Sequence, residues 1–464
     1  MSDTILAIDI GSNVIKAVIS EVDEFNDIKV LGHGVAKSEG VSKGIITNID
    51  LASKAIRKAV SDAKRIAGSN VHSAVVSISC AYVKSINSLG IVNIPQKDIT
   101  IKEINRVMEA ALYNAEIPKD YDILHVLPYN FKVDNQSNIE DPFGMNATRM
   151  EAEAHVIIAQ RSSLSNLKKA IVSAGLEIES IVLDSYASAI ATMSSDEKTL
   201  GVAVLDLGGQ TSSLIVYKGN SLRFNTYLPV GSNHITNDIS IALHTPLGIA
   251  EKIKREYGNL IEVNDDELEL PIIGDTENTN SVPLRVVHDV IVARVEELLF
   301  ILSKNLDKSG LRDSIGSGII LTGGMTKLKG IRELTQSLFP GLSVRVGLPT
   351  ELKGLFDELK DPSFSTVIGL LLYKAGKNTQ YEIDNKKRLL HQKEEQVGLG
   401  NIKLNNTVSE AKRTNTHTEN FNENERDSHN ESSDVGFVFD DLAQMEKSDT
   451  DFITKLKNWI KQLF

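Results

Sequence analysis

The chain has 464 residues, 41% of them hydrophobic, which is enough for roughly three domains with substantial cores. Its formal net charge of -12 argues against a general nucleic-acid binder, which needs a basic face, so no nucleic-acid partner is expected. The single cysteine, Cys80, excludes an internal disulfide framework, and no run reaches the ~18 apolar residues that span a bilayer.

The N-terminus leads straight into a strand pattern with no signal peptide, so the main body is expected in the cytoplasm. Residues 5–19, ILAIDIGSNVIKAVI, read as an apolar strand, a glycine turn and a second apolar strand, with Asp9 two residues before Gly11. Residues 49–67 carry Leu51, Ala55, Ala59 and Ala63 or Ile66 at helical spacing, and Gly68 closes that helix. Residues 71–83 read as a buried strand, in which Cys80 is a small hydrophobe in a reducing cytosol. From 84 to 162 the pattern changes: a Pro95 turn, a helix over 101–115 and strand-like runs at 123–133 and 150–159 predict an inserted α+β subdomain. A helix over 163–174 stops at Gly175, and the next strand leads into VLDSYASAIA at 182–191, where Asp184 stands at the start of a helix as a candidate N-cap.

Residues 202–217, VAVLDLGGQTSSLIVY, repeat the first hairpin: Asp206 aligns with Asp9, Gly208 with Gly11 and Gly209 with Ser12 at a constant offset. Adjacent glycines permit φ > 0 and leave no Cβ between the peptide N–H groups and a triphosphate. Asp206, at the end of its strand, is placed to reach a hydrated Mg²⁺ rather than the nucleotide itself. Residues 231–255 pass through a turn into two helices, and Glu251 and Lys254 share one helix face. Residues 262–283, acidic and turn-rich, read as a surface loop. A long helix over 286–306 follows, with Val287, Val290, Ile291, Val295, Leu298, Leu299 and Leu302 on one face. A third glycine turn, IILTGGMTKLKGI at 319–331, sets Gly323 and Gly324 between a strand and a helix that starts near Lys327 and runs to 338. A short strand at Val344 and a helix over 365–374 close the folded part. One glycine pair is an ordinary tight turn. Three in this order, two of them with Asp two residues before Gly, point to a duplicated α/β domain with a nucleotide between its halves.

From about 378 to 447 the chain is rich in Asn, Glu, Ser, Thr and Lys, which predicts a disordered tether with one sticky run at 435–442. The last 14 residues, DFITKLKNWIKQLF, differ: Phe452, Leu456, Trp459, Ile460 and Leu463 form one helical stripe, with Lys455, Lys457 and Lys461 elsewhere on the wheel. This segment is too short to span a membrane and suits the interface, with Trp at headgroup depth and lysines on anionic lipid. Docking on a partner, or on the protein's own body across the long tether, is the other reading.

The three turns resemble the phosphate 1, phosphate 2 and adenosine turns of the actin, sugar kinase and Hsp70 ATPase superfamily, over residues from about 4 to 376. More narrowly, SEGVSKGIITNID (38–50), LHVLPYNFKVD (124–134), DPFGMNATRMEAEAHVI (141–157), GSNHITNDI (231–239) and the terminal amphipathic helix resemble the FtsA family of bacterial cell-division proteins. The resemblance implies an actin-like two-domain ATPase fold: subdomain 1A at 1–83, 163–195 and 363–377, 1C at 84–162, 2A at 196–230 and 313–362, and 2B at 231–312. A disordered linker at 378–447 and a membrane-targeting amphipathic helix at 448–464 complete it.

The same resemblance implies ATP and Mg²⁺ as cofactors, with nucleotide contacts from Gly11, Ser12, Asn13, Lys16, Gly208, Gly209, Gln210, Thr211, Glu251, Lys254, Gly323, Gly324 and Met325. Asp9 and Asp206 would hold the metal through water. In related filament proteins a Glu and Lys spaced like Glu251 and Lys254 contact ribose and adenine; a solvated surface pair is the alternative. Asp184 stands where relatives position the attacking water, the N-cap role remaining open. The implied partners are FtsZ through 2B, further copies of the chain in filaments, other division proteins through 1C, and an anionic membrane. That membrane would be met by Phe452, Ile453, Leu456, Trp459, Ile460, Leu463 and Phe464 with Lys455, Lys457 and Lys461, at the cytoplasmic face of the inner membrane in the division septum. The 208–213 turn departs from a common superfamily pattern, because Gln210 replaces a third glycine and Ser213 an acid. Crowding of the terminal phosphate by Gln210, and slow or no hydrolysis, are therefore expected of an ATP-binding scaffold. A carbohydrate kinase would need an Asp base in a sugar pocket, and an Hsp70-like chaperone a folded domain after the core. A pilus-assembly ATPase is expected to lack the tether and terminal helix.

Overall fold

A computed structural model describes residues 3–79, 83–263, 265–271 and 279–391; Cys80, the 435–442 run and the whole terminal helix lie outside the described residues. The chain opens with the hairpin of β1 (Asp3–Ile10) and β2 (Val14–Val22), whose register sets Asp9 opposite Lys16. Next come β3 (Ile28–Lys37), the short strands β4 (Val41–Ser42) and β5 (Ile45–Ile46), α1 (Ile49–Ala67) and β6 (Ser73–Ile78). The Asn48 side chain caps the start of α1 by accepting the Leu51 N–H, and Gly68 at φ 63 ends it. Its buried face is Ala52, Ala55, Ile56, Ala59, Val60 and Ala63, whereas Leu51 and Ile66, expected there, are exposed. The cause is the closeness of β3. A Cβ on Gly34 would lie 2.0 Å from the Ala59 carbonyl oxygen, so only an alanine ridge fits against the strand.

Strands β7 (Val83–Asn93), β8 (Tyr121–Val133), β9 (Gln136–Ile139) and β10 (Arg149–Gln160), with α2 (Ile101–Asn114), form a separate unit with its own apolar core and strand order β7-β10-β8-β9. This is the inserted α+β subdomain read from the sequence. A reciprocal Thr100–Glu103 capping box starts α2. The chain then returns through α3 (Arg161–Ser173), β11 (Glu177–Leu183) and α4 (Asp184–Thr192), completing a sheet in the order β11-β6-β1-β2-β3.

The second lobe runs through α5 (Ser195–Leu200), β12 (Val202–Leu207), β13 (Ser212–Lys218), β14 (Ser221–Leu228), α6 (Ser232–Ala242) and α7 (Leu247–Tyr257). It continues with β15 (Glu267–Pro271), β16 (Thr279–Pro283), α8 (Leu284–Lys308), β17 (Ile319–Thr322), α9 (Ile331–Leu338) and β18 (Val344–Val346). Its sheet order, β14-β13-β12-β17-β18, repeats that of the first lobe: three antiparallel strands, then two added in parallel. The duplication therefore extends from the hairpins to whole sheets. All seven apolar positions expected on the inner face of α8 are buried. Two expectations change here. The 262–283 stretch contains the antiparallel pair β15–β16 rather than only a loop. After Gly324 the chain makes a 3-10 turn, Gly324–Lys327, and Gly330 at φ 87 reverses it, so the helix starts at Ile331 and not near Lys327.

Helix α10 (Ser365–Leu372) is buried along its whole length and returns to the first lobe. It crosses α4 so closely that a Cβ on Gly369 would lie 1.8 Å from the Ala187 carbonyl oxygen. The ordered chain continues past 378, where the tether was expected to start. Tyr381 and Ile383 join the core of the inserted subdomain, and Ile383 exchanges backbone hydrogen bonds with Val126 at 3.0 and 2.9 Å. The fully buried Glu382 accepts the hydroxyls of Tyr186 at 3.0 Å and Tyr373 at 2.8 Å and meets His125 Nδ1 at 2.6 Å. Composition concealed this strap because specific polar partners hold it as much as apolar content does.

Candidate functional site

Asp9 sits at the end of β1, where its carboxylate accepts the Ser77 hydroxyl at 3.0 Å while the Ser77 oxygen takes the Ile10 N–H at 2.8 Å. Lys16, its cross-strand neighbour, pairs with it at 3.5 Å, bonds the Ser363 carbonyl and lies 5.1 Å from the Phe364 ring centre. Asp206 occupies the matching place in the second sheet, opposite Ser213, and the Ser188 and Thr366 hydroxyls bond to it. Burial, with the Asp9 charge added, pushes its carboxyl up to about 6. Asp184 is the first helical residue of α4 and not its N-cap, which is Leu183. Its carboxylate accepts the neighbouring Ser185 N–H at 2.6 Å. Burial first, then the charges of Asp206 and Asp9, push Asp184 up to about 8.

Three carboxylates thus converge beside one lysine, a charge imbalance that a bound cation relieves. Among the described residues no three His, Cys, Asp or Glu side chains are grouped to ligate a metal directly. The donor set fits a hydrated Mg²⁺ held through water by Asp9 and Asp206, since that ion keeps several waters when one or two carboxylates bind it.

Neither Gly208 nor Gly209 has the positive φ expected of it. Both are closely approached, Gly208 by backbone and Gly209 by a side chain. A Cβ on Gly208 would lie 2.9 Å from the Thr211 carbonyl oxygen, and one on Gly209 would lie 2.5 Å from the Asn13 side chain. The Gly208 N–H closes the turn on the Thr211 carbonyl at 2.8 Å, and the Gly208 and Gly209 carbonyls take the Ser232 and Asn233 N–H groups at 3.0 and 2.7 Å. Gly323, at φ 91, lies against Asp206, where a Cβ would come within 2.5 Å of the carboxylate. The first turn therefore meets the second through Asn13 and Gly209, and the second hairpin meets the third turn through Asp206 and Gly323.

The Asn13 and Asn233 carboxamides bond each other reciprocally at 2.7 Å. Gln210 reaches across to the first lobe: its amide oxygen accepts the Lys43 N–H at 2.8 Å and the Ser42 hydroxyl at 3.1 Å. Ser12 Oγ accepts the Gly44 N–H at 3.0 Å, and Met325 is buried behind the third turn. Glu251 and Lys254 are not a solvated pair. Lys254 is 8% exposed and bonds Glu251 at 2.6 Å, the Thr236 hydroxyl at 2.9 Å and the Ser232 carbonyl at 3.2 Å, which ties α7 to the start of α6 beside Gly208.

Sequence reasoning missed Ser42, Lys43, Ser77, Ser188, Ser232, Asn233 and Thr366. Ser42, Lys43, Ser232 and Asn233 lie in the segments that carried the family resemblance, a signal that could have found them. Ser188 and Thr366 lie on buried helices and have no local signature.

A family model described as "Cell division protein FtsA" matches residues 203–369, and one described as "SHS2 domain inserted in FTSA" matches 80–158. A cell division protein FtsA of Helicobacter pylori is 38% identical over 416 residues, covering 83% of this chain and 84% of the relative. The chain belongs to the FtsA family. An FtsA of Pseudomonas aeruginosa is 34% identical over 378 residues, covering 81% of this chain and 90% of its own length. Among solved structures, the PilM-PilN type IV pilus biogenesis complex superposes with a TM-score of 0.57 at 18% identity, over 80% of this chain and 98% of that one, a likeness of fold alone. The fold is α/β and actin-like, as the three turns implied, and the match to the domain inserted in FtsA coincides with the β7–β10 unit. Among the described residues of this FtsA-family chain, no helix is long and apolar enough to cross a membrane.

Proposed function

We propose that this FtsA-family protein binds ATP with Mg²⁺ between its lobes, assembles head to tail into filaments, and holds FtsZ at the cytoplasmic face of the inner membrane while recruiting other division proteins. Family membership supports the division role. The observation that carries the nucleotide reading is the meeting of three glycine turns around Asp9 and Asp206. Gly11, Ser12, Asn13 and Lys16 of one lobe and Gly208, Gly209, Gln210 and Thr211 of the other would hold the phosphates. Gly323, Gly324 and Met325, with Glu251 and Lys254, would hold the nucleoside. Asp9 and Asp206 would hold a hydrated Mg²⁺, which supplies neutralising charge to the phosphates when bound. Slow or no turnover belongs to the same proposal, on the departure of the 208–213 turn, where Ser213 stands in place of an acid. A turnover of about 1 per second or faster would contradict that part of the reading.

Contacts of FtsZ with the 2B region and of other division proteins with the inserted subdomain belong to the same proposal. So does membrane binding by the terminal amphipathic segment, whose stripe from Phe452 to Leu463 supports it. One short helix binds lipid weakly, and many on a filament bind together. Co-sedimentation with anionic liposomes, with and without ATP, tests this on the full chain and on a chain ending at Lys447. The full chain is expected to pellet, more so in ATP, and the shortened chain to stay in solution. Equal binding of the two chains, or none, overturns the lipid-anchored reading.

A further inference from the structure

We propose that the hairpin at 381–391 is a two-stage release element. Traction on the chain beyond His391 opens its outer arm first and then lifts its inner arm from β8, which frees the inserted subdomain from the first lobe. The inference rests on the membrane-binding reading above, which supplies the traction, and adds a response to it. Residues 392–464, with the terminal amphipathic segment, follow directly on the hairpin, so a pull on a lipid-held end reaches the folded body here.

The hairpin closes two open sheet edges. Its inner arm, 381–384, extends the inserted sheet, with Ile383 pairing to Val126 on the edge of β8 opposite β10. Its turn sits on β11, the edge strand of the first-lobe sheet: the Asn385 carboxamide oxygen accepts the Ile181 N–H at 3.3 Å, and the Lys386 ammonium donates to the Ile178 carbonyl at 3.2 Å. Among the described residues, the outer arm, 388–391, makes its backbone hydrogen bonds with the inner arm alone. The Leu390 N–H donates to the Glu382 carbonyl at 2.7 Å, and the Leu390 carbonyl accepts the Tyr381 N–H at 3.1 Å. Consecutive side chains of an extended arm point opposite ways, and here each way leads to a different body. Leu389 packs against the core of the inserted subdomain and Leu390 against the core of the first lobe, so the arm staples one to the other.

The order of release follows from this geometry. The chain leaves from the free end of the outer arm, so a pull meets the bonds of that arm one at a time, as in a zipper. Behind them the inner arm is held by the Ile383–Val126 pair and by Glu382. The Leu183 N–H donates to His125 Nε2 at 3.0 Å, which puts the ring proton on Nδ1, facing Glu382. The buried carboxylate therefore takes three donors, from His125, Tyr186 and Tyr373. Tyr381, fully buried, is held at φ 62, a left-handed conformation that is costly for a large residue. Docking stores that strain and undocking relieves it, which favours the second stage once the first is complete. The other end of the body resists. Strand β1 lies at the centre of its sheet, bonded along its length to β2 and on its other side to β6, so its bonds share the load. A pull across the chain opens the hairpin before the sheet.

The test holds the full chain by its two ends in an optical trap, without lipid, and raises the load. The chain carries Cys80→Ala and fluorophores at Tyr113→Cys on α2 and Phe25→Cys in the first lobe, both exposed positions. Two reversible steps are expected before the body unfolds, together lengthening the chain by at most about 45 Å, the extended reach of 379–391. The distance between the labels is expected to change at the second step only. Leu390→Ala is expected to shorten the lifetime of the first stage about tenfold at a given load and to leave the second within about twofold. Glu382→Gln is expected to do the reverse. An unchanged unfolding load for the rest of the body certifies the fold of each variant. A body that unfolds in one event with no earlier step overturns the inference, as does a label distance that stays fixed through both steps. Variants that alter the two stages equally overturn it too, because a contact without an order of release is only structural. Missing steps leave liposome binding untouched. A chain that shows both steps yet does not pellet with anionic liposomes removes the membrane reading and with it the source of the traction, and so the two failures are told apart.

Discussion

Asp184 and Asp206 are buried beside further carboxylates, and that burial, with the neighbouring charge added, sets how the ligand-free protein responds to pH. The folded state raises Asp184 from an ordinary carboxylate value to about 8. Below the unfolded value near 4 both states are protonated and the group costs nothing. Between that point and about 8 the unfolded chain ionises and the folded chain does not, so stability falls as pH rises, and above about 8 the full penalty is present. In Mg²⁺-free, nucleotide-free buffer, Asp184→Asn is therefore expected to be more stable than the natural chain. Its advantage should grow by on the order of 1 kcal/mol per pH unit from about pH 4 to about pH 8. Urea unfolding at pH 5 and pH 8 measures it, and an advantage that does not change with pH would show that the carboxyl is not held neutral by the fold. Asp9 and Asp206 were legible because each stands two residues before a glycine at the end of an apolar strand. The neighbours of Gly208 and Gly209, Thr211 and Asn13, were not, because they are set by how the turn closes and the lobes meet and not by the residue type.

The elements read most clearly were those whose periodicity matches a one-sided burial, such as α8 and the two hairpins. Helix α1 was found to its terminal residues and Ala55, Ala59 and Ala63 of its inner face with them, yet Leu51 and Ile66 were misplaced, since the flat alanine ridge that fits Gly32 and Gly34 is less conspicuous than either. The same close approach governs the crossing of α4 and α10. These two helices carry Asp184 and Ser188 on one side and Thr366 on the other, so their spacing sets the frame around Asp206. Gly369→Ala places a methyl group where the Ala187 carbonyl oxygen would be 1.8 Å away. It is expected to destabilise the protein by about 1–3 kcal/mol through overpacking. Chemical denaturation reads the loss, and an unchanged midpoint would mean that the crossing yields without cost.

At the scale of the whole molecule, the 379–391 strap joins the inserted subdomain to the first lobe through Glu382, which His125, Tyr186 and Tyr373 surround. A chain ending at His391 is expected to keep the thermal stability of the folded body. One ending at Asn378 strips Tyr381 and Ile383 from the β7–β10 core and leaves His125 and the two tyrosines without their buried carboxylate, and is expected to melt at lower temperature with fast exchange in β8. Equal melting of the two chains would show the strap to be incidental. Local pattern by itself determined the duplicated α/β plan, the inserted subdomain, the three glycine turns and the family, because each is written in residues adjacent along the chain. The tertiary structure alone decided the strap, the hydroxyls around Asp206 and the hold of Gln210 on the 42–44 turn. Those contacts join residues far apart in sequence, and their partners are chosen by the geometry of two lobes meeting, which no single segment encodes.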